Sequence, residues 1–335
     1  MRRGLIATLA CLLALGLAAP AAAASWAQPQ IRVVVERGLM GPSVADFRPE
    51  RPLTRRQLGE ALAAFTGKAQ VVVDPERPVL MWELDRALVR AAGLQRAAGN
   101  VRAKARAAGL APKWHFGTEV VTRLLGLRFN HPAAQDFRER RPRDVASRAE
   151  AAYSFAGLLG TSAWTKQSVA ARADALGFPA FTEWQQRVLR RAVSFVGYPY
   201  VWGGTSESRQ TLFGVTSRGG FDCSGFVWRV YKTRPFSGAP QLQTVLRGRT
   251  TYEMSGEFPR AARIRRAGLR PGDLVFFGTR GPSSRPSEVT HMGIYLGRGW
   301  FVHSSSQGTT MTTLSGWYAD RFAWGRRPLR EAGLI

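Results

Sequence analysis

The sequence predicts two folded parts: an all-α three-unit repeat domain over residues 25–159, then an α+β domain over 184–335 in which a helix bearing Cys223 packs on an antiparallel sheet. Residues 160–183 read as the linker between them. Three observations carry this expectation. A block of sequence recurs at an offset of 26 residues, Asp222 opens an amphipathic helix, and two β-patterned runs flank Gly297-Arg298-Gly299.

The repeat aligns Pro49-Glu50-Arg51-Pro52-Leu53-Thr54 with Pro75-Glu76-Arg77-Pro78-Val79-Leu80, and a looser third copy leads to Ser147-Arg148-Ala149-Glu150. Thr54 and Ser147 stand where a hydroxyl caps a helix, and Leu58, Leu62 and Phe65 follow at helical spacing. A unit of this size cannot bury its apolar face alone, so three are expected to pack together.

In the second part, Asp222 is the expected N-cap and Cys223 lies in the first turn, with Phe226, Val227, Val230 and Tyr231 on one apolar side. A helix N-terminus favours an anion, so the helix and a nearby imidazole are expected to lower the thiol's pKa against the opposing Asp222. Downstream, Leu274 to Phe277 reads as a buried strand, and His291 to Leu296 turns at Arg298 into Trp300 to Ser304. That register puts Gly293 opposite His303 and His291 one diagonal step away, where the two imidazoles touch. A thiol, an imidazole and a third polar group to orient it suit nucleophilic attack on an amide. No metal or other cofactor is expected, because His115 and His131 lie in the repeat region without acidic residues at metal-ligand spacing.

Composition and the first residues bound the compartment. Arg2 and Arg3 precede an apolar run and Ala22-Ala23-Ala24, so residues 1–24 read as a signal peptide, and acylation at Cys11 is disfavoured because apolar residues still follow it. Cys223 is then the one cysteine of the exported chain, with no disulfide partner. Loss of Arg2 and Arg3 takes the formal charge from +25 to +23. For an exported protein such a charge suits an anionic cell-wall polymer or membrane surface and not nucleic acid; arginines scattered by composition alone give the same total.

The ordered segments Tyr200-Val201-Trp202-Gly203-Gly204, Asp222-Cys223-Ser224-Gly225, Pro271 to Phe277, His291-Met292-Gly293-Ile294-Tyr295 and the later His303 resemble the NlpC-type cell-wall cysteine peptidases. The resemblance implies a papain-like catalytic domain and a secreted, envelope-associated peptidoglycan hydrolase cutting stem peptides, typically between D-glutamate and a diamino acid. It implies Cys223 as nucleophile, His291 as general base and acid, His303 as its orienting partner and Tyr200 at the oxyanion, with Asp222, Ser224 and Trp202 lining the substrate site. A catalytically silent wall-binding protein and an amidase or acyltransferase of the same superfamily are the alternatives. The stretches Thr205 to Gly219 and Gly278 to Thr290 read as walls of the groove or as surface insertions.

The region from Ser25 to Leu159 resembles the S-layer homology domain, on Thr54-Arg55-Arg56-Gln57 and Ser147-Arg148-Ala149-Glu150. By that resemblance Arg55 and Arg148 meet the acid groups of an anionic secondary wall polysaccharide; the second unit, Leu80-Met81-Trp82-Glu83, lacks the arginine.

Overall fold

A computed structural model describes residues 24–335. The expected signal peptide, apart from Ala24, and Cys11 lie outside the described residues. No helix among these is long and apolar enough to cross a membrane.

The first half is helical: α1 (Gln28–Glu36), α2 (Arg55–Thr66), α3 (Met81–Ala91), α4 (Gln95–Ala107), α5 (Phe116–Leu124), α6 (Arg148–Gly160), α7 (Ala163–Ala175) and α8 (Glu183–Val193). Caps start the helices that the sequence marks. Thr54 and Ser147 accept the N–H groups of Gln57 and Glu150. At α3 there is no hydroxyl, and only the other half of the capping box remains: the Glu83 carboxylate accepts the Leu80 N–H at 2.9 Å, as Gln57 and Glu150 accept those of Thr54 and Ser147.

The extended segments before α2, α3 and α6 meet in a closed ring. The Leu53 N–H donates to the Ala146 carbonyl, Ala146 to Val79 and Val79 to Leu53, at 2.8 to 2.9 Å, and all three side chains are fully buried. The ring satisfies backbone groups that the loops would otherwise leave unpaired in the core.

The stretch expected as a linker is a packed helix. Ser162 caps α7, which buries Val169 and Ala173 against α4. Its alternation of alanine with polar side chains gives it almost no apolar face, so the packing against α4 decides the conformation rather than periodicity.

The second half opens with four short strands, β1 (Thr205–Ser206), β2 (Gln210–Leu212), β3 (Val215–Ser217) and β4 (Gly220–Phe221), followed by α9 (Cys223–Tyr231), α10 (Leu242–Val245) and α11 (Thr251–Gly256). Then come β5 (Leu274–Gly278), β6 (Val289–Gly297), β7 (Trp300–Ser305), β8 (Gly308–Thr313), α12 (Trp317–Arg321) and β9 (Phe322–Arg326). The last five strands form one antiparallel sheet in the order β8-β7-β6-β5-β9. Helix α9 lies on β6 and β7 with Phe226, Val227, Val230 and Tyr231 fully buried. Every residue of β5 is buried, in keeping with its unbroken apolar run.

Most of the buried apolar residues form one cluster running through both halves, from Ala27 to Leu329, and Val275, Phe277, Phe301, Leu314 and Phe322 form a smaller second one. Buried charge also crosses between them. Arg123 of α5 pairs with Glu119 at 3.3 Å and donates to the carbonyls of Gly197, at 2.6 Å, and Gln307. Burial and nearby Asp85 push the Glu119 carboxyl above the usual carboxylate range.

Helices α4 and α5 cross in backbone contact: a Cβ on Gly117 would overlap the Ala98 carbonyl oxygen. Gly117→Ala should therefore cost about 1–3 kcal/mol through overpacking, despite alanine's better helix propensity. A urea titration checks this by a lower midpoint at unchanged slope; an unchanged or raised midpoint would contradict it.

Candidate active site

The thiol is placed by the start of α9. The Asp222 carboxylate accepts the Gly225 N–H as N-cap, so the chain turns into the helix with Cys223 at its first position. Gly225 is required there, because a Cβ would overlap the Gly204 carbonyl. The sulfur is buried and unpaired.

The thiol is not acidified. Burial, then the Asp222 charge, push it up to about 12, while the N–H groups of Met292, Ser224 and Cys223 itself pull the other way. This corrects the sequence expectation that the helix and imidazole outweigh Asp222: the cost of burying a thiolate is larger than either, and burial is not visible in the sequence. Burial likewise lowers His291 to about 4. The resting pair is thus a neutral thiol and a neutral imidazole.

The two histidines meet as the hairpin register requires. His291 Nε2 lies 2.8 Å from His303 Nδ1. Pairing of Ile294 with Val302 sets this diagonal, and a bulge between Tyr295 and Gly297 absorbs the turn. Among the described residues His291 Nδ1 has no hydrogen-bond partner. The Met292 N–H is directed at the sulfur, so β6, the strand that carries His291, lies against the start of α9. Phe277 stacks on His291 at 5.7 Å between centroids, Phe301 lies 4.7 Å from His303, and Tyr318 of α12 meets the His303 ring edge-on at 5.2 Å.

Tyr200 is bridged to Phe221, two residues before Cys223. Burial, then the charges of Cys223, Asp222 and Asp136, raise its pKa, which keeps the phenol protonated and able to donate. Trp202 is 57% exposed, while its backbone N–H donates to Asp136 of the helical half at 3.1 Å. The inserted strands β2 and β3 bring Phe213 against Gly203, beside Trp202, so the stretch from Thr205 to Gly219 walls this side of the site. Ser224 is buried, its hydroxyl donating to Asp222.

Sequence reasoning missed Arg249. Its guanidinium contacts both Asp222 oxygens at 3.2 to 3.3 Å, the Ser224 hydroxyl at 2.7 Å and the Gly203 carbonyl at 2.9 Å. It binds together the cap of α9 and the Trp202-Gly203 loop. No local pattern marks it, since it stands in an irregular stretch just before α11. Tyr318 was missed too, because it stands on the short helix α12.

Arg55 and Arg148 are not brought together. Arg55 donates to Glu83 at 2.9 Å and to the Val73 carbonyl, within its own half. Arg148 is buried over the Phe47 ring, donates to the Phe47 carbonyl and lines a surface groove with Arg48, Arg51 and Glu60. His115 and His131, for which the sequence offered no acidic partners at metal-ligand spacing, each have one acidic neighbour: Glu119 at 3.7 Å and Glu139 at 3.0 Å. Sequence separations of four and eight residues hid these contacts, which helix α5 and a loop create.

A buried cysteine at the start of a helix packed on the antiparallel sheet that carries a hydrogen-bonded histidine pair defines the class as a candidate thiol hydrolase. Residues 197–327 match the NlpC/P60 family. Over 141 residues the chain is 36% identical to the murein DD-endopeptidase MepH of Escherichia coli (strain K12), covering 42% of this chain and 44% of that protein. Over 132 residues it is 36% identical to the probable peptidoglycan endopeptidase LytE of Bacillus subtilis (strain 168), covering 39% of this chain and 30% of that one. The structure of the peptidoglycan hydrolase RipB from Mycobacterium tuberculosis aligns at 24% identity with a TM-score of 0.33, over 48% of this chain and 77% of that chain. The chain thus spans less than half the length of these two curated relatives.

Replacing Arg249 by Met should leave Asp222 uncompensated beside the thiol and raise its pKa further. At fixed pH, alkylation of Cys223 by iodoacetamide should slow severalfold, and Arg249→Lys should restore part of the rate. Equal rates in wild type and the Met variant would show that Arg249 has no electrostatic hold on the site.

Proposed function

We propose that this protein is a secreted peptidoglycan endopeptidase that cleaves stem-peptide amide bonds through Cys223, with the bond between D-glutamate and a diamino acid as its preferred target. The observation that carries the reading is the 2.8 Å contact between His291 and His303, on the strands against which the helix opening with Cys223 is packed. The names of the similar proteins support the substrate class, and the sequence of residues 1–24 supports export.

The chemistry runs from these groups. His291 Nδ1 takes the Cys223 proton as sulfur attacks the scissile carbonyl carbon, so the resting neutral pair becomes an ion pair only along the reaction path. With Nδ1 acting as base, Nε2 carries the other proton and donates it in the bond to His303 Nδ1, which stabilises the imidazolium as it forms. The oxyanion accepts from the Cys223 backbone N–H and the Tyr200 hydroxyl. His291 then protonates the leaving amine, the C–N bond breaks, and water, deprotonated by the same imidazole, hydrolyses the thioester and releases the thiol. Asp222 and Ser224, held by Arg249, and exposed Trp202 form the substrate wall.

The helical half is proposed as a three-unit, S-layer homology-like region that binds an anionic wall polysaccharide. Arg148 marks the groove, with exposed Arg48 and Arg51 beside it; Arg55 is proposed for the neighbouring unit, limited by its bonds to Glu83 and Val73.

Digestion of purified peptidoglycan followed by mass analysis of the fragments tests the reaction and the bond. Cys223→Ala should fold normally and release nothing; retention of more than a tenth of wild-type turnover would remove Cys223 as nucleophile. His303→Ala should lower kcat on the order of 10²-fold with a small change in KM, and His303→Asn should recover part of it. Because the His291 pKa is lowered to about 4, its neutral form persists to lower pH, and the acid limb of kcat/KM should fall well below the ordinary histidine value of 6.5. An acid limb at or above 6.5 would contradict this environment.

For the groove, full-length Cys223→Ala protein should sediment with cell envelopes, and Arg48→Ala with Arg51→Ala should weaken binding more than Arg86→Ala with Arg90→Ala. Charge-assisted contacts are worth about 1.5–3 kcal/mol each, whereas nonspecific attraction weakens equally for either pair and fades with salt.

A further inference from the structure

The segment carrying Tyr200 is gripped at both ends by the helical half. At one end, Arg123 of α5 donates to the Gly197 carbonyl at 2.6 Å and, from its other nitrogen, to the Gln307 carbonyl in the β7–β8 turn. At the other end, the Asp136 carboxylate accepts the Trp202 N–H at 3.1 Å. Asp136 sits on a short 3-10 turn, Ala133–Arg138, that packs on β3. Both side chains are buried, at 6% and 5% exposure. Within the second half, residues 197–204 are irregular, tied by Gly197 to Thr309, by Val201 and Pro199 to Phe221, and by Gly204 to Val201 and Asp222. Nothing there accepts the Trp202 N–H other than Asp136.

We infer that Asp136 is a positioning residue for the reaction, acting through the Trp202 backbone to fix Tyr200, and that the helical half is thereby part of the catalytic apparatus. The inference rests on the proposed function for its kinetic consequence, and on geometry alone for the hold on Trp202. A buried carboxylate accepting a backbone N–H is a charge-assisted bond in a water-poor setting. Losing it frees the loop two residues from the phenol whose hydroxyl meets the oxyanion, and small misplacements of such donors are costly.

The full-length chain tests this with Asp136→Ala and Asp136→Asn, the latter keeping an acceptor oxygen. In the Ala variant kcat should fall about tenfold with KM within twofold, while the Asn variant should stay within twofold of wild type in both. On a Tyr200→Phe background, Asp136→Ala should cause little further loss, because both changes remove the same donor. Full activity in the Ala variant, or losses that multiply on the Phe background, would overturn the inference. Hydrogen exchange supplies a readout independent of turnover: the Trp202 amide should exchange faster in the Ala variant and at the wild-type rate in the Asn variant. Unchanged exchange in the Ala variant would also overturn it. If wild type hydrolyses no peptidoglycan, the functional reading fails by itself, and the exchange arm still decides the hold on Trp202.

Discussion

One carboxylate organises the centre of this molecule. Asp222 caps α9, accepts the Ser224 hydroxyl and is clamped by Arg249, which reaches on to the Gly203 carbonyl. Its charge is unfavourable for the adjacent thiolate, yet its bonds fix the helix start that puts the thiol in place. Arg249 makes this arrangement tolerable by pairing with the charge while leaving the cap intact. Gly225 completes the constraint, since the helix start and the Gly204 carbonyl are in contact. The sulfur, the phenol of Tyr200 and the Trp202 loop are thus positioned together.

The parts of this centre that were legible in the sequence are those with local signatures. An Asp before an apolar-faced run locates α9, and two β-patterned segments around Arg298 give the diagonal that joins His291 to His303. What escaped depends on burial or on distant partners. The thiol's pKa turns on desolvation, which no motif encodes. Arg249, Tyr318 and Asp136 reach the site from an irregular stretch, a short helix and the other half of the chain. The helix over Ala163–Ala175 had a legible cap in Ser162, but its lack of an apolar face made it resemble a connecting segment.

The helical half shows how one solution can be built from unequal sequences. Leu53, Val79 and Ala146 occupy like positions in the hydrogen-bonded ring although only two of the three following helices start with a hydroxyl cap. Gln57, Glu83 and Glu150 each accept the N–H of their N-cap residue, so the third helix keeps half of the capping box, and the other oxygen of Glu83 takes the Arg55 ion pair. That arginine is therefore structural in its bonding, whereas Arg48 and Arg51 remain exposed.

Both edges of the five-stranded sheet are occupied. At β8, Gly197 donates to the Thr309 carbonyl and Thr309 to that of Tyr198; at β9, Ile264 and Gly325 exchange both of their hydrogen bonds. Each contact takes one outward-facing residue of its edge strand and shortens the backbone that an incoming peptide could join. Recognition by side chains and by the end of α9, as distinct from strand pairing, makes no demand for an L-configured, α-linked backbone in register, and so admits inverted stereocentres and side-chain linkages that a strand-pairing groove rejects.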